Sequence, residues 1–147
     1  PMVQNTRKIL RKLTARLSAY PLEEYLQSNE FAVFLREQDL VDPWREKHES
    51  ALDEPNLYGN EAIRHAFILF LQHVLHCRQK EFPRFFSRFL LGFSRKIARA
   101  LPVDELKEDL VCLNYSDDEI DEEFAILNIK QKRSRKAKDK VCHESDY

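Results

Sequence analysis

Residues 81–101, EFPRFFSRFLLGFSRKIARAL, hold five of the ten Phe residues and five of the 24 Lys plus Arg residues of the chain in 21 positions. At about 100° per residue, Phe82, Phe86, Phe89, Phe93, Ile97 and Ala100 fall within an arc of roughly 80°, with Phe85 and Leu90 on its flanks. Arg84, Arg88, Arg95 and Arg99 fall within a second arc of similar width on the far side. The stretch reads as one amphipathic helix with an aromatic core face and an arginine face. The aromatic face sets the fold; the arginine face asks for a partner.

The rest of the chain fits that helix into an all-α protein. There are only two Gly, at 59 and 92, which leaves few sites for the positive-φ turns that hairpins favour. Good helix formers are plentiful. In 147 residues a single domain buries roughly 68–70% of its unfolded surface, so a core needs no staples. The three Cys, 77, 112 and 142, are odd in number, with no CxxC spacing. They point to a reducing compartment rather than a disulfide framework, with Cys77 and Cys112 read as small core residues. No run of 18 apolar residues occurs, so no membrane span is expected, and no secretory signal is seen. Pro1 before Met2 reads as a residue left by protease cleavage, which makes Met2 the expected start.

Helical periodicity divides the chain further. Residues 6–19 put Leu10, Leu13 and Leu17 on one face, with Arg7, Lys8, Arg11, Lys12 and Arg16 around the rest. The acid-free basic start also resembles a mitochondrial transit peptide. Pro21 ends this helix by excluding α geometry at Tyr20. Residues 22–40 read as one kinked helix or two short ones, with Ser28 or Asn29 as a cap. A short helix after Pro43 places Trp44, His48, Ala51 and Leu52 on one face. DEPNLYGN, 53–60, is the clearest loop. Asn60 reads as the N-cap of the most buried helix, 61–80, with Ile63, Phe67, Phe70, Leu71, Val74 and Leu75 on its apolar stripe.

Beyond Pro102, Val103, Leu106, Leu110 and Leu113 share a face. Ser116 and Glu119 then form a capping box ahead of Ile120, Phe124 and Leu127, with acids early and bases late, as the macrodipole favours. The expected fold is a compact bundle of about five to seven helices with a Phe-rich core. One domain is expected over 2–131, followed by a basic tail, 132–147, too poor in apolar residues to fold alone.

The charge is unevenly placed: residues 104–123 contain ten acids and one Lys, while the net charge is −1. The acids are an internal counterpart for the arginine face. The arginine face (Arg84, Arg88, Arg95, Arg99) and the N-terminal basic set (Arg7, Lys8, Arg11, Lys12) are the candidate binding residues, for an acidic or helical protein partner or for phosphate. Lys132, Arg133, Arg135 and Lys136 resemble a nuclear import signal, which favours nucleus over cytoplasm for an intracellular protein. Ser116, followed by three acids, suits an acid-directed kinase, and its phosphate would meet a helix N-terminus.

Glu122-Glu123-Phe124-x-x-Leu127 resembles the motif by which autophagy receptors dock ubiquitin-like modifiers, and Ile126–Ile129 resembles a SUMO-interacting segment. Both require an extended strand, whereas the capping box predicts a helix. His73, His76 and Cys77 have i, i+3, i+4 spacing but no second ligand pair, and His65 stands apart on the same helix, so no metal or other cofactor is expected. Gly-rich phosphate loops, G-x-S-x-G and H-E-x-x-H are missing. The sequence therefore points to a non-enzymatic interaction module, adaptor or assembly subunit, with nucleic-acid binding as the alternative.

Overall fold

Ser28 divides residues 22–40 into two helices. Its Oγ accepts a hydrogen bond from the Phe31 N–H at 3.2 Å and donates to the Tyr25 carbonyl at 2.6 Å, so one hydroxyl ends a helix and starts the next. The computed structural model describes residues 2–127. Its helices are α1 (Met2–Ser18), α2 (Leu22–Leu26), α3 (Asn29–Gln38), α4 (Val41–Leu52), α5 (Asn60–Cys77), α6 (Phe82–Ile97) and α7 (Val103–Cys112). A 3-10 turn, Gln79–Glu81, joins α5 to α6, and α8 covers 117–127. There is no strand among the described residues. The tail, with Lys132, Arg133, Arg135 and Lys136, lies outside them.

Helix α5 is the hub: α4, α1 and α2 pack on it, α7 packs on α1, and α3 packs on α6. Residues 82–93 enter the core as the sequence predicts, with Phe82, Phe86, Phe89 and Phe93 fully buried. The Phe89 ring lies 5.1 Å from that of Phe67, 5.9 Å from Phe31 and 6.0 Å from Phe93. Phe31 meets Trp44 edge-on at 5.3 Å and Phe70 at 6.4 Å. Such tilted and edge-on pairs add to the area term of burial. The result is one all-α bundle around a continuous aromatic cluster.

Local corrections have local causes. Asn60 is the first helical residue, not the cap; Gly59 stands before it at φ 55°, ψ −124°, a backbone state open in practice only to glycine. Helix α5 ends at Cys77, short of the expected residue 80, because Arg78 leaves helical geometry. Helix α6 ends at Ile97, because Ala98 turns left-handed at φ 55°, ψ 39°. Ala100, expected in the core, is therefore exposed. Leu52 is also exposed, at the last residue of α4. Cys77 and Cys112 are exposed rather than core residues, each closing its helix.

Candidate interaction groove

The sequence marks two basic helices, and the fold treats them differently. On α1, Arg16 Nε donates to Asp109 Oδ2 of α7 at 2.8 Å, and its Nη2 reaches Oδ1 at 3.4 Å. The Asp109 side chain is 2% exposed, and its carboxylate, first among the causes, drives the guanidinium pKa up. Arg7 donates to Gln72 Oε1 of α5 at 3.1 Å and 3.3 Å. Lys8, Arg11 and Lys12 remain exposed.

On α6, Arg84 and Arg95 are exposed, while Arg88 donates to Ser87 Oγ at 3.1 Å and to Glu123 Oε1 at 3.2 Å. Thus Arg88 alone of the stripe meets the acidic segment, which otherwise pairs with α1 through Asp109 and with Lys107 through Asp121 at 3.0 Å. Arg99 leaves the stripe, since α6 has already ended; its guanidinium sits 4.6 Å above the Tyr20 ring, a cation–π contact. The structure brings Arg84, Arg88 and Arg95 together and places Arg99 elsewhere.

Those three line a groove between α6 and α3. Lys96 Nζ donates to Glu30 Oε2 at 3.1 Å, while Gln38 lies beside Arg84 and Arg88 at the other end, so the two helices run antiparallel. The broad part, about 530 Å³, is bounded by Glu30, Val33 and Glu37 on α3 and by Arg88, Leu91 and Arg95 on α6. It continues past Gln38 and Arg88 into a smaller recess of about 280 Å³ that adds Arg78, Glu81 and Arg84. Phe34 and Phe85 floor it, their rings 5.5 Å apart. Val33 is 36% exposed, an apolar side chain open to solvent on the groove wall.

Gly92 explains itself here. A Cβ at that position would stand 2.8 Å from the Tyr25 hydroxyl, well inside van der Waals contact. Tyr25 is held by the rings of Phe31, Phe89 and Phe93, so the phenol has little freedom to retreat. Burial, with a smaller contribution from Glu30, pushes the Tyr25 pKa up to about 12. The Glu30 carboxyl is held below its usual range by its own backbone N–H and then by Lys96. A mid-helix glycine costs roughly 0.5–1 kcal/mol against Ala, and here it lets a buried phenol reach the groove floor.

The capping box forms as predicted. Ser116 N–H donates to Glu119 Oε1 at 3.0 Å and Glu119 N–H donates to Ser116 Oγ at 3.1 Å, which lowers the Glu119 pKa. Ser116 is exposed. Phe124 and Leu127 are buried on α8, so neither is displayed in an extended docking motif; Ile129 lies outside the described residues. Cys77 Sγ lies 3.8 Å from His73 Nε2, and among the described residues no three potential ligands converge on one point. No described helix is long and apolar enough to cross a membrane. Comparison with known proteins finds no matching family model, no similar curated protein and no similar solved structure.

The α3 wall was missed by sequence reasoning. Glu30, Val33 and Glu37 have helical spacing that is visible in the chain, but nothing local says that α3 lies alongside the arginines. Arg78 was missed because it sits in the break between α5 and α6.

Proposed function

We propose that this chain is a non-enzymatic protein–protein interaction module, an adaptor or assembly subunit of an intracellular complex, and that the α3–α6 groove is its working surface. One observation carries the reading: each groove wall repeats charge, apolar, charge, as Glu30–Val33–Glu37 and as Arg88–Leu91–Arg95. A small apolar centre ringed by charge is the pattern of a protein interface, where the ring excludes water from the anchor. A nuclear setting follows from the resemblance of the tail to an import signal.

The test replaces Val33 with a photo-crosslinking amino acid in living cells, with Tyr58, an exposed loop residue, as control position. Discrete protein adducts specific to position 33 and resistant to nuclease are expected. Nuclease-sensitive adducts, or none beyond the control, overturn the reading.

Nucleic-acid binding is the rival reading, favoured by exposed Lys8, Arg11, Lys12, Arg84 and Arg95. Against it, Glu30, Glu37 and Glu81 line the same groove, and Arg7 and Arg16 are engaged within the fold. A nucleic-acid protein shows oligonucleotide affinity that falls steeply with salt and is lost on changing Arg84, Arg88 and Arg95 to Glu.

A further inference from the structure

The interaction-module reading does not say what fills the groove, and the two walls supply the answer. Positions 30, 33 and 37 are spaced by three and four residues, as are 88, 91 and 95, so each set forms one line along its helix. The two lines face each other across the groove, one with acids and the other with bases at its ends. Val33 and Leu91 lie between the charges of their lines, and Gly92 and Phe34 line the same part of the groove. From Arg84 to Lys96 the α6 wall runs about 18 Å, room for roughly twelve residues of a third helix.

Resting on that reading, we infer that the occupant is an amphipathic helix of a partner protein, with an apolar ridge bordered by bases on the edge along α3 and by acids on the edge along α6. A ridge of side chains at i, i+3, i+4 and i+7 is the shape a trough between two helices accepts. The apolar ridge meets Val33, which is exposed, and the edge of Leu91, which is otherwise buried, and anchors the helix there. The edges meet Glu37 on one side, and Arg84 and Arg95 on the other, while Glu30 and Arg88 are engaged within the fold by Lys96 and Glu123. Turning the helix end for end with its ridge still down exchanges its edges and sets like charges together. The walls therefore fix the direction in which the partner chain runs, which is the kind of selectivity charge gives at an interface.

Direction is what the experiment reads. Two synthetic helical peptides share one composition and one Leu ridge; the first carries Glu along one edge and Lys along the other, and the second has the edges exchanged. Each bears a nitroxide at its N-terminus and is titrated into the 15N-labelled full chain. The expected result is equal affinity within about twofold and opposite polarity: one peptide broadens amides near Gln38 and Arg84, the other those near Glu30 and Lys96. A protein carrying Glu37→Lys, Arg84→Glu and Arg95→Glu, which leaves the Glu30–Lys96 and Arg88–Glu123 pairs intact, should interchange the two patterns. Broadening at the same end with both peptides, or no groove signals shifted by either, overturns the assignment of the occupant. The Val33 crosslink separates the two levels: protein adducts with no directional peptide binding leave the module and remove the helix, whereas loss of both removes the groove as a binding surface.

Discussion

Arg16 near the end of α1 and Arg95 near the end of α6 occupy similar places on two amphipathic basic helices, yet one is part of the fold and the other is not. Arg16 holds the almost fully buried Asp109 at 2.8 Å, so its charge is spent on another helix of the same chain. Arg95 stands on a groove wall, facing the acids of α3 across open space. The cause is the neighbour: α7 lies against α1 and presents an acid on its buried side, whereas α3 keeps its acids at the rim. A basic helix face is thus structural or available according to which helix packs beside it.

The largest effect belongs to the inner side of α6. Phe89→Ala removes a fully buried ring from the centre of the aromatic cluster and should lower the free energy of urea unfolding by about 3–5 kcal/mol. Next comes Arg16→Leu, which leaves the Asp109 carboxylate buried without a counter-charge. It should lower the denaturation midpoint clearly, with Asp109→Leu in the same chain restoring much of the loss. No restoration would mean that Arg16 acts through packing, and α1 and α6 would then differ less than their charges imply.

Gly92→Ala sharpens the account of the groove. The gain in helix propensity, about 1 kcal/mol, is set against overpacking on Tyr25, roughly 1–3 kcal/mol, so a net loss of about 1 kcal/mol is expected in the same assay. Tyr25→Phe beside Gly92→Ala should remove it. Alkaline titration tests the same contact from the other partner. Tyr25, and separately Tyr115, whose ring stacks on Phe82 away from Gly92, have folded pKa values pushed up to about 12, chiefly by burial, above the ordinary value near 10. Their neutral forms therefore lend stability that is complete below about pH 10 and is lost as pH rises towards 12. Tyrosinate absorbance and unfolding should climb together in that window; ionisation of both groups in a still-folded protein at pH 10 would contradict their burial. The smallest effect is Arg95→Leu, expected to change stability by no more than about 0.5 kcal/mol. A larger loss would erase the contrast with Arg16.

Much of the fold was legible because its signals are local. The Phe spacing of 82–93 and the Ser116–Glu119 box each depend on residues within one or two turns and form as read, and of the two caps the sequence offered, Ser28 is the one used. The misreadings lie at helix ends. Ala98 carries no sequence mark of its left-handed turn, so Arg99 and Ala100 were counted on a helix that had already stopped. Cys77 and Cys112 were assigned to the core on residue type alone, though each closes a helix.

Of the groove, the sequence alone determined the raw material: an α6 with Phe on one side and Arg on the other, and an α3 with Glu, Val and Glu in line. Periodicity fixes which residues share a face, because it follows from the geometry of a single helix. Only the tertiary structure decided that α3 runs antiparallel beside α6, that Asp109 turns inward to Arg16, and that Tyr25 reaches over Gly92. Those choices depend on contacts between residues as many as 93 positions apart, set by how the faces pack around α5, and no local pattern encodes them.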